Sequence, residues 1–351
     1  MCPYSHSSPL RRDERSGLWQ ADDPALSLAL LARGDGALAV RPPGQPLPPH
    51  LATPTSALGA LFGRWLRQRD DAGHAAQKAA LQRALAAVPA EAVRAATRRQ
   101  AALARGDWNH WAGCLSAASI ADLLGLALDT PAAQAALRER LRALAQGLTP
   151  GASAEVVQAA DAAVEQLLAA LRRADPAAPL QAALAAHAPP ALWGDAETFE
   201  ANRLALLWQS FEAGAALLAH ALKRLGETPA LRAAGTSPRD WIAALPDAGG
   251  AVRNTRRFVQ QQQQAGLAIG GARLAPGDGL LLNLTGAGAG FGAGAHRCPG
   301  QDLALDIAAA AVAQLQDDPP APWPQALPPE HDLLLPNARI PQFPPHPETQ
   351  P

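Results

Sequence analysis

The stretch FGAGAHRCPGQDLA, residues 291–304, holds one of only three cysteines in a chain of 351 residues. Three glycines surround Cys298, and an alanine-rich helical pattern begins directly after it. Glycine has no β-carbon, so it lets the backbone turn tightly and pass close to a flat ligand. The start of a helix offers free N–H groups and a partial positive charge, which favour a thiolate. The stretch therefore predicts that Cys298 ligates a metal.

The spacing Phe291-x-x-Gly294-x-His296-x-Cys298-x-Gly300 resembles the cysteine loop of the cytochrome P450 family. The resemblance implies heme b (iron-protoporphyrin IX), with Cys298 as the proximal iron ligand and the other four positions as cofactor contacts. A thiolate ligand pushes electron density toward an iron-bound oxygen species and favours O–O cleavage. The alternative is a buried structural cysteine in a glycine-rich turn.

Two other segments, together with His296, resemble the family's contacts with the heme propionates. RDDAGHAAQK places His74 and Lys78 four residues apart, on one face of a predicted helix. The alternative for this pair is a solvated helix face. VRNTRRFV resembles the strand that carries a propionate-binding arginine, and Arg257 is the candidate, with Arg256 as the second choice. His296, two residues before the cysteine, is a further predicted donor.

The segment LLWQSFEAGAALL resembles the long central helix that crosses the distal heme face in the family. Glu212 is the candidate catalytic acid, and the alternative is that it pairs with Arg203 or another cation. The alcohol that follows the acid in the family is absent, and Gly214 lies within one residue of its place. We predict that Gly214 leaves room for a group against the heme. The substrate pocket is predicted around Phe211 to Leu218, where an Ala/Leu-rich lining suits an apolar ligand.

Two parts of the family's scaffold are absent from the sequence. Counting back from Val252 places the Glu-x-x-Arg pair of the family at Ala244 and Asp247, with Pro246 between them. The long connection before the cysteine loop is also lost, because LLLNLTGAGAGFGAG leads almost directly into it. These losses belong together, because a buried arginine deprived of its partners is costly.

Hydrophobic periodicity predicts a mainly α fold with a small β region, arranged as one large domain around a long central helix. HAAQKAALQRALAAVPAEAVRAATRRQAALA predicts two helices with a break near Pro89. The predicted divisions are an irregular segment 1–50, a heme-thiolate domain 51–340 and a proline-rich tail 341–351. Within the domain we expect helices over 54–245, strands over 246–290, the cysteine loop at 291–300 and a helix over 301–317.

Composition excludes several classes of protein. The net charge of −1 gives no basic surface for nucleic acid or an anionic membrane. No segment has the roughly 20 apolar residues that a membrane span needs. The three scattered cysteines form no CxxC pair, which argues against a zinc or disulfide framework and fits a reducing cytoplasm. A metal site at Cys2 and His6 is an alternative to the frayed N-terminus that we expect.

The resemblance implies a cytoplasmic heme-thiolate oxidoreductase. The default reaction is monooxygenation of a small apolar substrate, with electrons from a ferredoxin or flavodoxin. The losses leave three alternatives open, namely a peroxide-dependent enzyme, a redox-neutral enzyme that catalyses rearrangement or dehydration, and a non-catalytic heme-binding protein. We expect no nucleic-acid or membrane partner.

Overall fold

The computed structural model describes residues 10–45, 47–104, 106–233, 236–286 and 288–345. The α-helices are α1 Pro24–Ala32, α2 Ala57–Arg64, α3 His74–Ala86, α4 Ala90–Leu103, α5 Trp108–Leu123, α6 Pro131–Gly147, α7 Ala154–Arg172, α8 Pro179–His187, α9 Ala196–Glu227, α10 Pro238–Ile242 and α11 Gln301–Asp317. The strands are β1 Leu10–Arg12, β2 Trp19–Ala21, β3 Leu38–Ala39, β4 Asn254–Val259, β5 Leu267–Ile269, β6 Ala272–Leu274, β7 Gly279–Asn283, β8 Leu333–Leu334 and β9 Arg339–Ile340. The predicted Cys2–His6 site and residues 346–351 of the predicted tail lie outside the described residues.

The mainly α fold with a long central helix is confirmed. Helix α9 begins after the N-cap Asp195, whose side chain accepts a hydrogen bond from the Thr198 N–H. It packs against α5 and α11, and α4 packs against both of those helices. Because α9 is surrounded in this way, most of its side chains are buried, as its apolar pattern predicted. The predicted break is confirmed as well, since α3 ends before Pro89 and α4 begins after it.

A five-stranded sheet has the order β1-β2-β7-β4-β3. Strand β2 runs parallel to β7, and the other neighbours are antiparallel. Successive side chains of a strand point to opposite faces. On β4 this alternation buries Arg257 and leaves Arg256 exposed. The sheet therefore turns the preferred arginine toward the interior of the protein.

The prediction that residues 1–50 are irregular is wrong from residue 10 onward. Strands β1, β2 and β3 and helix α1 all fall within this segment. Each strand has only two or three residues, too few to show an alternating pattern. The start of α1 did carry a signal, because Asp23 caps the N–H groups of Ala25 and Leu26, and Pro24 occupies the first turn.

The C-terminal part of the chain follows the prediction more closely. Strands β4 to β7 fall within 246–290, and α11 covers the predicted 301–317. A cysteine loop without regular α or β structure precedes α11, apart from a single 3₁₀ turn over Gly294–His296. None of the described helices is both long and apolar enough to cross a lipid bilayer.

Candidate active site around Cys298

The cysteine loop folds back on itself through short backbone contacts. The Cys298 N–H donates to the Phe291 carbonyl at 2.8 Å. Gly292 and Gly294 have φ angles of +74° and +61°, a region that favours glycine. The Gly300 N–H donates to the Cys298 sulfur. The predicted tight turn and the predicted backbone donor to the sulfur are thus both present.

Gly294 packs closely against helix α1. A β-carbon at this position would lie 2.2 Å from the Leu31 carbonyl oxygen at the end of α1. Gly294 is therefore required by the packing of the loop against α1. At Gly300 a β-carbon would lie 3.6 Å from Leu85 Cδ1, an ordinary contact distance. A small side chain fits at that position, so sterics alone do not demand glycine there.

Cys298 is half-buried and lies in a positive potential. Burial raises the pKa of its thiol, whereas the Gly300 N–H and the cations Lys78, Arg67 and Arg297 act to lower it. The predicted positive potential is present, but burial outweighs it and favours the neutral thiol. Coordination to a metal deprotonates a thiol directly, so this balance is compatible with a ligand role.

His74 and Lys78 do not lie on a solvated helix face, which was the alternative. They are only 7% and 9% exposed. The Lys78 ammonium donates to the Ala295 carbonyl in the cysteine loop. The His74 and His296 rings lie 4.5 Å apart, and His296 Nε2 is 2.7 Å from Asp70 Oδ1. The structure therefore brings α3 and the cysteine loop together through the predicted side chains.

Arg257, on strand β4, is also buried, with 8% of its surface exposed. Its guanidinium donates only to Thr255 Oγ1 at 3.3 Å and to the Arg256 carbonyl at 2.7 Å. Burial lowers its pKa, and Asp70 acts in the opposite direction. Because the Arg256 side chain is exposed on the other face of β4, the geometry favours Arg257 over Arg256 as the interior cation.

We call His74, Lys78, Arg257 and His296 the cation cluster. Burial alone would raise the pKa of Asp70, but its hydrogen bonds to His296 and the Val40 N–H, together with Arg257, hold that pKa below its ordinary value. Neither Lys78 nor Arg257 forms an ion pair in the described part of the chain. Buried cations without counter-charges are costly. The cluster therefore suits additional carboxylates, and a heme carries two of them as its propionates.

The face of α9 that is open to solvent differs from the predicted pocket lining. Phe211 and residues 214–219 are buried, because they pack into the hydrophobic core between the helices. The partly exposed residues of this stretch are Trp208, Gln209, Ser210, Glu212 and Ala213. Of the predicted lining from Phe211 to Leu218, only Glu212 and Ala213 are partly exposed, and the open face is aromatic and polar rather than Ala/Leu-rich.

The prediction for Gly214 is also wrong. A β-carbon on Gly214 would lie 2.3 Å from Ser116 Cβ of α5 and 2.4 Å from its hydroxyl oxygen. Glycine at this position therefore allows two helices to pack closely. The space beside it is filled by protein, so it offers no room for a group against the heme.

Glu212 does not pair with Arg203, because Arg203 binds Glu200 at 2.6 Å and the Leu171 carbonyl at 2.8 Å. Burial raises the pKa of Glu212, and the charge of Arg67 acts to lower it. The carboxyl group has no hydrogen-bond partner among the described residues. It is therefore available as an acid on the open face of α9.

Arg67 is a candidate site residue that the sequence motifs did not indicate. It lies in the 3₁₀ turn Leu66–Gln68, and its guanidinium carbon is 5.0 Å from the centre of the Trp208 ring. The side chain is exposed, yet burial lowers its pKa, while Glu212 and Cys298 act to raise it. Because the charges of both Glu212 and Cys298 act on it, Arg67 lies between α9 and the cysteine loop, and we call the space between these two elements the cleft.

Other contacts occupy the place of the absent scaffold. The Gly286 N–H donates to the Asp247 carbonyl, and the Gly288 N–H donates to its carboxylate at 2.7 Å. Arg239 of α10 binds Asp302 at 2.7 Å and also Asp306, both on α11. Asp247 thus holds the chain that leads to the cysteine loop, and Arg239 fixes α10 to the helix that follows it.

Two cavities lie away from the predicted residues of α9. One of about 360 Å³ is bordered by β2, β7 and residues 335–339, and it contains none of the predicted site residues. A smaller one of about 100 Å³ lies behind the cysteine loop, beside Pro246, Asp247 and Phe291. The chemistry of the side chains, and not these two cavities, therefore identifies the candidate site.

No protein-family model and no curated protein matches the sequence. Among solved structures, P450BioI in complex with hexadec-9Z-enoic acid ligated acyl carrier protein gives a TM-score of 0.74 at 16% identity, covering 95% of this chain and 94% of that chain. Cytochrome P450 260B1 of Sorangium cellulosum So Ce56 gives 0.73 at 19% identity, covering 96% and 91%. The cytochrome P450 enzyme CYP109B1 of Bacillus subtilis gives 0.69 at 16% identity, covering 96% and 95%. The chain therefore has the cytochrome P450 fold, as its cysteine loop predicted.

Proposed function

We propose that this protein is a heme-thiolate oxidoreductase that uses heme b and acts as a monooxygenase on a small organic molecule. The observation that carries the proposal is the pair of buried cations, Lys78 beside the cysteine loop and Arg257 near Asp70. Neither forms an ion pair within 4 Å among the described residues, and a dicarboxylate cofactor would supply a direct partner to both. When bound, the heme supplies oxygen activation, which thiolate ligation favours.

Each residue of this wall has a distinct task in the proposal. Cys298 is the proximal ligand, and the Gly300 N–H tunes the donor strength of its sulfur. Phe291 packs into the core between α9 and α11 and shields the loop from water. The four side chains of the cation cluster hold the propionates through charge-assisted hydrogen bonds.

The spectrum of the reduced protein with carbon monoxide tests the iron ligand. Cys298→Ala should abolish the thiolate signature, because no other described thiol faces the cleft. The matched control is Cys114→Ala, since Cys114 is buried and burial raises its pKa to about 12. A thiolate signature that survives Cys298→Ala would refute the proposal.

In this proposal an external ferredoxin or flavodoxin supplies electrons, and the protein works in the cytoplasm.

A second candidate function is peroxide-dependent oxygenation, and the face of α9 favours it. Glu212 is an unpaired acid there, Ala213 and Gly214 carry no hydroxyl, and the Ser210 hydroxyl is already bonded to the Leu207 carbonyl. An enzyme supplied with peroxide needs a positioned acid or base but no relay of protons to bound dioxygen.

Reductant-driven and peroxide-dependent oxygenation are distinguished by measuring product in two assays. One assay contains NADPH and a surrogate redox partner, and the other contains peroxide. If peroxide is used, Glu212→Gln should lower the peroxide-driven rate on the order of 10²-fold, the usual effect of losing a general acid. Glu197→Gln, at the exposed start of the same helix, is the control. Product in the reductant assay alone would exclude the second candidate.

A further inference from the structure

The guanidinium of Arg67 is a cation inside the cleft without a counter-ion in contact. It makes no hydrogen bond and no ion pair within 4 Å with any described residue. Its guanidinium carbon lies over the Trp208 ring, 5.0 Å from the ring centre. An arginine side chain carries five N–H donors, and none of them is taken by another described residue.

Arg67 is electrostatically separate from the centre of the cation cluster. The charges that act on its pKa are Glu212 and Cys298, and Asp70 is not among them. The ring of Trp208, on α9, fixes the guanidinium against the wall opposite the cysteine loop. Arg257 is the member of the cluster that Arg67 does influence, by lowering its pKa. A heme propionate is therefore the alternative partner of Arg67, and the experiment must distinguish it from a substrate carboxylate.

From these contacts we infer that Arg67 binds a carboxylate of the substrate, so that the substrate class is a small organic acid. The inference rests on the proposed function and replaces the apolar substrate that the sequence suggested. A carboxylate matches the planar fork of a guanidinium through two parallel hydrogen bonds. It also supplies a counter-charge in direct contact, which Arg67 lacks among the described residues.

Glu212 adds a consequence for the same site. A substrate carboxylate on Arg67 brings a second negative charge near Glu212, and a like charge favours the protonated form of a carboxyl group. Burial acts on the pKa of Glu212 in the same direction. The bound acid therefore places a proton donor on α9 beside the substrate.

The experiment compares acids with their own methyl esters. Dodecanoate and 4-phenylbutanoate, each with its methyl ester, are titrated into the purified protein by calorimetry at low ionic strength. We expect the acids to bind about tenfold or more tightly than the esters, the usual effect of a charge-assisted hydrogen bond. Arg67→Gln should abolish this preference, and Arg67→Lys should restore part of it. The control is Arg64→Gln, because Arg64 pairs with Glu197 outside the cleft.

Heme content and heme transfer to an apo-acceptor protein are measured on the same variants. An acid preference lost in Arg67→Gln with normal heme retention supports the inference. An acid preference that is absent from the wild type, or unchanged in Arg67→Gln, overturns it. Accelerated heme loss from Arg67→Gln would assign Arg67 to a propionate and also overturn it. Because calorimetry does not depend on the heme, a missing thiolate spectrum refutes the proposed function separately.

Discussion

Two walls face each other across the cleft, and they depart from the family pattern to different degrees. On the cysteine-loop wall, the cation cluster is made of the four side chains that the sequence singled out, and three of the four are buried. On the α9 wall the alcohol is absent, Gly214 is turned toward α5, and Arg67 enters from a turn outside any motif. In the proposed function, binding a common cofactor constrains the first wall, whereas the second wall faces the substrate and follows its chemistry.

The largest effect should come from removing both buried cations of the first wall. Lys78→Ala combined with Arg257→Ala should raise the rate of heme loss at least about 10²-fold, because each charge-assisted hydrogen bond contributes roughly 1.5–3 kcal/mol. Heme transfer to an apo-acceptor protein measures the rate. Arg256→Ala is the control, since that side chain is exposed on the same strand. Unchanged heme loss in the double variant would remove the difference between the walls.

A pH-dependent effect should come from His74 in the heme-free protein. Burial, with His296 and Lys78, lowers the pKa of His74 to about 4, below its ordinary value of 6.5, while Asp70 and Asp71 oppose the shift. Between these values the unfolded chain binds a proton that the folded protein does not. Stability should therefore fall as the pH falls through this window, by at most about 3 kcal/mol.

Urea unfolding at several pH values measures this loss of stability. His74→Gln cannot take up the proton, so its unfolding free energy should depend less on pH over the same window. An equal pH dependence in the variant and the wild type would show that His74 is not held neutral by the first wall.

On the α9 wall, Gly214→Ala should destabilise the protein by about 1–3 kcal/mol, because the new methyl group would overlap Ser116. Gly113→Ala is a matched control, since its β-carbon would meet only Arg138 at 3.7 Å. Thermal or urea unfolding measures both. Adding Ser116→Gly to Gly214→Ala should recover part of the loss. A neutral Gly214→Ala would reopen the possibility that this position faces the cofactor.

The smallest effect is expected at the contacts that replace the absent scaffold. Arg239→Ala should cost less than about 1 kcal/mol, because its carboxylate partners Asp302 and Asp306 are partly or largely exposed. Arg142→Ala, which loses an exposed pair with Glu139, should cost less still. If Arg239→Ala lowered the unfolding free energy in urea by several kcal/mol, the contacts of Arg239 would be as stabilising as the family's buried arginine network.

The sequence indicated those features that depend on long periodic runs or on fixed spacing. Helix α9, the break at Pro89 and the start of α11 all follow from such patterns, and so does the position of Cys298. The orientation of Gly214 was not predictable, because it depends on contact with Ser116 in another helix. Arg67 was not predictable for a similar reason, because it lies in a short 3₁₀ turn and its role depends on contact with Trp208 of another element, α9.

The N-terminal strands were missed for a further reason, and it bears on how the protein folds. Strand β2 pairs with β7, and the Trp19 indole N–H donates to Asp278, a residue 259 positions away. Contacts of such long sequence separation form slowly, because the loop between them must close first. During synthesis, helices α3 to α9 can pack together before β7, the partner of β2, has been made. Strand β4, which carries Arg257, lies beside β7, so the wall with the cation cluster is completed only after β7 has left the ribosome.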